Sequence, residues 1–183
     1  KKMPRLTLPD FLQAETHGPI LDVRAPVEYA QGHIPGALSF PLFTDDERAR
    51  IGTTYKQQSQ HKAVLLGLDL FGPRMSQLVK LAGKLASDKQ VRVHCWRGGM
   101  RSGAVQWLLE LGGFQVQLLD KGYKEYRRWA LAEFEQPRQL WVLGGLTGSG
   151  KTDVLHALAA QNQPMLDLEG LAAHKGSAFG SIG

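Results

Sequence analysis

The stretch VRVHCWRGGMRSG, residues 91–103, joins a short apolar run to a loop that is rich in glycine and arginine. Residues 91–94 alternate valine with polar residues, as a strand does, and the next helix is expected from about Ser102 to Leu111. The single cysteine, Cys95, would therefore stand at the carboxyl end of a strand. Backbone N–H groups at such a turn into a helix converge on one point and stabilise an anion or a thiolate. The stretch predicts a nucleophilic sulfur in an anion cradle.

Outside this stretch, short apolar segments alternate with segments of helical pattern. Such alternation is typical of the α/β class, in which helices flank a parallel sheet. The expected strands are residues 20–23, 37–40, 91–94 and 114–119. The expected helices are residues 26–31, 102–111 and 123–134, and residues 44–87 are expected to be helical with a break at 72–73.

The composition excludes several classes of protein. An apolar content of 43% and a charged content of 21% are those of an ordinary globular protein. One cysteine excludes an internal disulfide framework and favours a reducing compartment. The start KKMPRL has no apolar signal segment, and no apolar run approaches the roughly 20 residues of a membrane span. We expect a cytoplasmic protein without a membrane partner, and its net charge of +5 weakly favours an anionic partner.

A polar, proline-containing segment, EQPRQ at residues 135–139, is interpreted as a linker. It separates a first domain, residues 1–134, from residues 140–183. The second segment has about 45 residues, fewer than the 50 or more of an ordinary domain. We therefore expect it to be the N-terminal fragment of a P-loop α/β domain, because it contains the glycine-rich motif GLTGSGKT at residues 145–152.

The motif GLTGSGKT, residues 145–152, has the spacing of a phosphate-binding P-loop. An apolar segment expected as a strand, LWVLG at residues 140–144, precedes it, and a helical segment, DVLHALAAQ, follows it. Backbone N–H groups and the Lys151 ammonium would bind a diphosphate, and the Thr152 hydroxyl would hold Mg²⁺. The candidate diphosphate-binding residues are Gly145, Thr147, Gly148, Ser149, Gly150, Lys151 and Thr152.

The segment after the P-loop carries no acid that can be assigned firmly to a Walker B strand. Residues 165–168 are expected to form a strand, and Asp167 is the nearby candidate. The polar, glycine-rich stretch DLEGLAAHKGSAFG, residues 167–180, fits a substrate loop about as well as a surface linker. The candidate substrate-loop residues are Asp167, Glu169, His174 and Lys175, and no protein-ligated metal site is expected.

The cysteine loop by itself leaves two chemistries open. His94, Cys95 and the Arg-Ser pair at residues 101–102 fit the His-Cys-x5-Arg-Ser/Thr signature of cysteine phosphatases. A buried structural cysteine is the plainer alternative, but a core position explains the following Trp-Arg-Gly-Gly poorly. The candidate anion-binding residues are Arg97, Gly98, Gly99, Met100, Arg101 and Ser102.

Two further segments favour a chemistry other than that of the phosphatases, namely the transfer of sulfur or selenium. ILDVRAPVEYAQGHIPGALSFPL, residues 20–42, resembles the rhodanese (sulfurtransferase) family, and so does LLDKGYKEYRRW, residues 118–129, with Lys121 where a glycine is common. The resemblance implies a rhodanese-like parallel sheet flanked by helices and a loop cysteine that carries sulfur or selenium. Here five residues separate Cys95 from Arg101, whereas rhodaneses usually have four. The wider loop favours a phosphorus-bearing donor such as selenophosphate over thiosulfate.

Four charged residues of the upstream segment are expected to be structural. Asp22, Arg24, Glu28 and His33 lie near a strand end and a turn, where such residues commonly form ion pairs or caps. We do not assign them to the catalytic set.

The order of the modules, a rhodanese-like domain followed by a P-loop and then by residues 167–180, resembles the tRNA 2-selenouridine synthase family. The resemblance implies a transferase that alkylates wobble 2-thiouridine of tRNA with geranyl diphosphate and then replaces the geranylated sulfur with selenium from selenophosphate. Cys95 would serve selenation, the P-loop would hold geranyl diphosphate, and a selenophosphate-producing enzyme is a candidate partner. The alternatives are a rhodanese-fold cysteine phosphatase and a non-catalytic rhodanese-type binding module. Nothing in the sequence locates a pocket for the wobble base.

Overall fold

The structure is a computed structural model and describes residues 5–13, 18–146 and 148–172. The chain divides into two compact units, Lys1–Gln136 and Pro137–Gly183. The first unit contains the sheet and the cysteine loop, and the second contains the glycine-rich motif.

The first unit is built on a five-stranded sheet in the order β1-β5-β4-β2-β3, with every neighbouring pair parallel. The strands are β1 (Arg5–Leu6), β2 (Ile20–Asp22), β3 (Leu38–Ser39), β4 (Gln90–His94) and β5 (Gln115–Leu119). Four of the strands agree with the predicted segments, and the parallel α/β class is confirmed. The short strand β1 was not predicted.

Helices connect the strands of the first unit and cover the sheet. They are α1 (Leu8–Leu12), α2 (Pro26–Ala30), α3 (Asp45–Gln57), α4 (Gln60–Phe71), α5 (Met75–Leu85), α6 (Met100–Leu111) and α7 (Tyr123–Phe134). A 3₁₀ turn at Gly72–Arg74 stands at the predicted break between α4 and α5. No helix in the part of the chain that the structure describes is long and apolar enough to cross a membrane.

A second break, which was not predicted, divides the predicted helical segment of residues 44–87. Ser59 separates α3 from α4, and its Oγ accepts a hydrogen bond from the Lys62 backbone N–H at 3.2 Å. Thr44 caps α3 in the same way, from Glu47 N–H at 3.3 Å. A serine with such a cap stabilises a new helix start because it satisfies an N–H group that the helix leaves unpaired.

Both faces of the sheet are covered by apolar side chains, as an all-parallel sheet requires. Successive residues of a strand point to opposite faces, so Leu21 joins one core cluster and Ile20 the other. Arg92 of β4 is buried on the second side, and its guanidinium donates to the carbonyl oxygens of Phe11 and Gly18. These bonds fasten α1 and the segment before β2 to the sheet.

The connections diverge at the centre of the sheet. From β2 the chain passes to β3 on one side, whereas from β4 it passes to β5 on the other. The crevice beyond the carboxyl ends of two such strands is the usual place for a ligand in an open parallel sheet. Asp22 ends β2 and His94 ends β4, so the residues that follow them meet at this crevice.

The second unit contains α8 (Lys151–Ala160) and α9 (Leu168–Leu171). The predicted strands at residues 140–144 and 165–168 are wrong, because its described residues contain no strand and α9 begins at Leu168. A strand needs a neighbour to bond its backbone groups, and the described residues of this unit provide none. Trp141 and Val142 are accordingly 91% exposed.

Candidate functional site

Cys95 directly follows β4 at the carboxyl edge of the sheet, as predicted, and it is only 3% exposed. The start of α7 is docked against it. The Tyr123 backbone N–H donates to the Cys95 carbonyl oxygen at 2.8 Å, and the Lys124 N–H donates to the Trp96 carbonyl oxygen at 3.0 Å. The cysteine loop is therefore held between the end of β4 and the first turn of α7.

Two glycines permit this close approach. Gly98 and Gly122 have φ angles of 66° and 64°, in the left-handed region that favours glycine. A Cβ atom on Gly122 would lie 2.4 Å from the Cys95 carbonyl oxygen and 2.6 Å from the Gly98 nitrogen. Lys121, at the position where rhodaneses commonly have glycine, also has a positive φ of 57°. The backbone conformation of the turn is thus kept without the glycine at residue 121.

The pKa of the Cys95 thiol is lowered, although two influences oppose each other. Burial of the sulfur raises the pKa, but a larger combined effect lowers it. This effect comes from the Ser102 hydroxyl, the backbone N–H groups of Ser102 and Arg97, and the charge of Arg101. The Ser102 Oγ lies 3.2 Å from the sulfur and also 3.2 Å from the Gly99 carbonyl oxygen. Since a hydroxyl has one proton, it can donate to only one of them at a time, and a thiolate attracts it more strongly.

The remaining predicted cradle residues occupy the loop and the first turn of α6. Gly98 is buried, whereas Arg97, Gly99 and Met100 are exposed, and Met100 begins the helix. Arg97 approaches the sulfur through its backbone N–H. The loop thus brings backbone N–H groups of the predicted residues to the sulfur. Of the two predicted arginines, Arg101 acts on the thiol through its side-chain charge, whereas Arg97 acts through its backbone N–H.

The Arg101 side chain is engaged by Glu28 of α2. Arg101 Nη1 lies 2.8 Å from Glu28 Oε2, and Arg48 Nε of α3 lies 3.6 Å from the same oxygen. Burial alone would raise the pKa of Glu28, but Arg101, the Ala25 N–H and Arg48 outweigh it and hold the pKa below its usual range. Glu28 therefore remains ionised and orients two guanidinium groups.

Helix α3 is held in place for this contact by its first residue. Asp45 Oδ1 accepts a hydrogen bond from the Val27 backbone N–H at 2.9 Å, which joins the starts of α2 and α3. Arg48 follows Asp45 by three residues, so it lies on the same side of α3 and reaches Glu28.

A cavity of about 400 Å³ opens beside the cysteine loop, wholly within the first unit. Its lining residues are Arg24, Glu28, Gln31, Gly32, Arg48, Trp96, Arg101, Tyr123 and Arg127. Of these only Arg101 was a predicted site residue. The sequence did contain one signal for this cavity. Tyr123 and Arg127 are four residues apart in a predicted helix, so they lie on the same face of it.

The ion pairs and caps expected of the upstream charged residues are present. Asp22 and Arg24 form a buried two-pronged ion pair, with Arg24 Nη2 2.5 Å from Asp22 Oδ2. Arg24 also donates to the Gly32 carbonyl oxygen at 2.7 Å and lies 3.8 Å from the centre of the Tyr123 ring. His33 Nδ1 lies 3.0 Å from the Tyr29 carbonyl oxygen. Arg24 and Glu28 nevertheless line the cavity as well.

His94 is fully buried below the site, and its pKa is lowered to about 4. Burial is the main cause and the Arg24 charge adds to it, while Asp22 and the Cys95 backbone oppose both. His94 Nε2 lies 3.8 Å from Asp22 Oδ2, beyond hydrogen-bonding distance. Neither ring nitrogen has a hydrogen-bonding partner among the described residues. The imidazole is therefore neutral near pH 7 and acts as part of the core.

The glycine-rich motif of the second unit forms a loop closed by its own lysine. Lys151 Nζ donates to the carbonyl oxygens of Gly145 and Leu146 at 3.0 and 2.9 Å. Gly148 and Gly150 have φ angles of 80° and 78°, and Gly150 is the N-cap residue directly before α8. Ser149 lies in the turn and Thr152 in the first turn of α8, whereas Thr147 lies outside the described residues.

The candidate substrate-loop residues are only partly described. Asp167 Oδ1 accepts a hydrogen bond from the Gly170 backbone N–H at 2.9 Å and so caps α9, which contains Glu169. His174 and Lys175 lie outside the described residues. Throughout the described part of the chain, no group of three or more His, Cys, Asp or Glu side chains is arranged to hold a metal ion.

Known families match both units. Residues 8–128 match the rhodanese-like domain, and residues 138–183 match the tRNA 2-selenouridine synthase AAA domain. The tRNA 2-selenouridine synthase of Nitrosomonas europaea is 40% identical over 169 residues, which cover 90% of this chain and 44% of the relative. The protein of that name from Bdellovibrio bacteriovorus is 43% identical over 172 residues, 89% of this chain and 44% of the relative. The chain spans less than half the length of these curated relatives.

A solved structure shares the fold of the first unit. It is the crystal structure of the N-terminal domain of a Clostridium difficile 630 protein described as ATP/GTP binding, with a TM-score of 0.64 and 34% identity. The match covers 70% of this chain and 99% of that one. The chain belongs to the rhodanese-like domain family, in the group that joins this domain to the AAA domain of the tRNA 2-selenouridine synthases.

Proposed function

We propose that the chain is part of a tRNA-modifying transferase that replaces sulfur with selenium in wobble 2-thiouridine. The selenium donor is selenophosphate, and the intermediate is S-geranyl-2-thiouridine made from geranyl diphosphate. The observation that carries the proposal is a cysteine of lowered pKa beside an arginine-lined cavity, in a chain that also carries a P-loop motif. The name of the relatives, tRNA 2-selenouridine synthase, supports the formation of 2-selenouridine in tRNA.

In this proposal Cys95 is the nucleophile needed for selenation. A thiolate is the reactive form of cysteine, and the contacts from Ser102 and the loop amides favour it. The donor is an oxyanion, so its oxygens would bind the loop amides and Arg101. Binding would draw Arg101 away from Glu28, or share it between the carboxylate and the donor, because both compete for one guanidinium.

The P-loop would bind the diphosphate of the geranyl donor. The sulfur of the thiouridine forms a bond to the geranyl carbon while diphosphate leaves, so negative charge develops on the departing oxygens. Lys151 now donates to two carbonyl groups of its own loop, and diphosphate oxygens would replace these acceptors. Thr152 is the residue that would hold Mg²⁺, in the way other P-loops do.

The rival functions find less support in the site. A cysteine phosphatase needs a protonated acid for the leaving group, yet Glu28 is the one carboxylate among the described residues lining the cavity, and its pKa is lowered. Asp22 is buried in its pair with Arg24. A non-catalytic binding module would have no use for a thiol whose pKa the surrounding loop lowers.

The test is to incubate the full-length protein with 2-thiouridine tRNA, geranyl diphosphate and selenophosphate and to identify the nucleosides by mass spectrometry. We expect 2-selenouridine with both donors and S-geranyl-2-thiouridine when selenophosphate is omitted. A selenophosphate-producing enzyme supplied with its own substrates should replace added selenophosphate. Absence of 2-selenouridine in the complete mixture contradicts the proposal.

A further inference from the structure

The cavity beside Cys95 carries more positive charge than the pairs within it neutralise. Its four arginines face one carboxylate, Glu28. Arg24 is neutralised from below by Asp22, so three guanidinium groups and one carboxylate remain, an excess of two positive charges. Arg127 forms no hydrogen bond or ion pair with any residue that the structure describes. The cavity is therefore suited to an anion with more than one charged group.

The cavity is also larger than a selenium donor requires. Its volume of about 400 Å³ falls in the range of about 300–1,000 Å³ typical of sites for small organic ligands. A tetrahedral oxyanion has five heavy atoms and fills a small multiple of the roughly 30 Å³ that one water takes. Most of the space is thus left for another molecule beside the cysteine loop, which lines the cavity through Trp96 and Arg101.

Aromatic side chains form part of the wall. Trp96 follows Cys95 directly, is partly exposed, and packs against Tyr123 with ring centres 5.7 Å apart. Arg127 stands one turn after Tyr123 on the same face of α7, and Arg48 lines the cavity from α3. A flat ring with cations around it is the combination that binds single-stranded nucleic acid, where a base stacks and the phosphates pair with arginine.

We propose that this cavity binds one unstacked nucleotide of the RNA substrate, with its base against Trp96 and its flanking phosphates at Arg127 and Arg48. This assignment rests on the proposed tRNA modification and places the nucleoside beside the loop that carries Cys95. Arg101 and the loop amides remain available for the donor oxyanion. The cavity then holds both reactants on one side of the cysteine loop.

The test measures binding of a fluorescein-labelled anticodon stem-loop RNA, with 2-thiouridine at the wobble position, to the 183-residue chain by anisotropy. Trp96→Ala should weaken binding by about fivefold to a hundredfold through loss of stacking, with an unchanged salt dependence. Arg127→Ala should weaken binding and reduce the slope of log Kd against log salt by about 0.7, the value for one phosphate contact on a single strand.

Two neighbouring residues provide matched controls. Arg128→Ala removes the same charge from the same helix, but Arg128 pairs with Glu125 and does not line the cavity. Trp129→Ala removes an indole from an exposed position outside the cavity. Both controls should bind like the wild-type chain. Arg127 is itself exposed, so its variant should fold, and far-UV circular dichroism checks the Trp96 variant.

Equal weakening by the Arg127 and Arg128 variants, or wild-type binding by the Trp96 and Arg127 variants, would overturn the assignment of the cavity. If the full-length enzyme makes 2-selenouridine while these variants bind RNA normally, the proposed function stands and the cavity assignment fails. If binding depends on Trp96 and Arg127 but no 2-selenouridine forms, the proposed function fails and the nucleotide site stands.

Discussion

The sulfur of Cys95 shows how a few hydrogen bonds can outweigh burial. Removing a thiolate from water favours the neutral thiol, and Cys95 is only 3% exposed. The Ser102 hydroxyl and the amides of Ser102 and Arg97 oppose that effect, and the pKa of Cys95 falls below its ordinary value. The balance depends on side chains within one short loop, so single substitutions should shift it measurably.

Ser102→Ala should raise the pKa of Cys95. The variant removes the largest of the hydrogen-bonding contributions that lower this pKa. Without this hydrogen bond the thiolate is less stable, so the midpoint of thiolate formation should move to higher pH. The rate of iodoacetamide alkylation, measured across pH, gives this midpoint. Ser76→Ala, at an exposed position of α5, should leave it unchanged. An unshifted midpoint in the Ser102 variant would show that the hydroxyl does not stabilise the thiolate.

His94 should make the protein sensitive to mild acid. Its pKa is about 4 in the folded protein against 6.5 in an unfolded chain, so the unfolded state binds the proton more readily. The stability from the neutral imidazole is complete above pH 6.5 and is lost as the pH falls towards 4. The full loss is about 3 kcal/mol, since one pH unit corresponds to about 1.4 kcal/mol.

Urea unfolding at pH 7 and at pH 4 measures this effect. Between pH 7 and pH 4 the free energy of unfolding should fall less in His94→Leu than in the wild-type chain. Carboxyl groups titrate in both proteins, so the difference between them comes from the histidine. His61→Leu, at an exposed position of α4, should behave as the wild type. Equal acid sensitivity of the His94 variant and the wild type would contradict the burial of an uncharged imidazole.

Helices and strands of the first unit were predictable where one periodic pattern was strong. Strand β2 is buried along its whole length and appears in the sequence as a short apolar run, whereas valine alternates with polar residues in β4 and at the start of β5. The two-residue β1 and the five-residue α1 show no period and were missed, whereas the equally short β3 and α2 were predicted because the turn residues Gly32, Pro35 and Gly36 separate them. The strands predicted for the second unit failed for another reason, since an apolar run becomes a strand only beside a partner.

The candidate site was predictable only as far as it lies in continuous sequence. The loop from Cys95 to Ser102 was identified because its residues follow one another. Arg48 and Arg127 come from helices far apart in the chain, and they meet only after the sheet has formed. No spacing in the sequence relates them, so the cavity and its charge could not be predicted.

The contact between α7 and the cysteine loop should be sensitive to one added methyl group. Gly122→Ala places a Cβ where the Cys95 carbonyl oxygen is only 2.4 Å away, at a φ of 64°. The loop or the helix start must move, and we expect a loss of about 1–3 kcal/mol in the free energy of unfolding. Thermal or urea unfolding measures the loss, and iodoacetamide alkylation at fixed pH reports the change around the sulfur.

A glycine on the surface of a helix gives the matched control for this substitution. Gly83 lies in α5, and no atom comes within 4 Å of a Cβ added there. Gly83→Ala should stabilise the chain by up to about 1 kcal/mol, because alanine is the better helix former. If both alanine variants change stability alike, the close approach at Gly122 does not constrain the loop.

The chain as a whole combines two sites of different chemistry on two units. The first unit provides a thiol of lowered pKa and an arginine-lined cavity, and the second provides a glycine-rich loop with a lysine. In the proposed reaction sequence the two sites act one after the other on the same nucleoside. A substitution at either site should therefore stop its own step and leave the other intact.

Lys151→Ala in the full-length protein tests this division of labour. Loss of its ammonium should slow geranylation at least about tenfold, because donor binding and the charge on the departing diphosphate both depend on that cation. The cysteine site is untouched, so tRNA that already carries S-geranyl-2-thiouridine should still receive selenium. Cys95→Ala should show the reverse, with the geranylated nucleoside accumulating.

Lys62→Ala, on the exposed surface of α4, is the control for charge and should change neither step. Nucleoside mass spectrometry separates the outcomes. Normal geranylation by the Lys151 variant would show that the P-loop does not hold the geranyl donor, and loss of both steps in either variant would show that the two sites do not act independently.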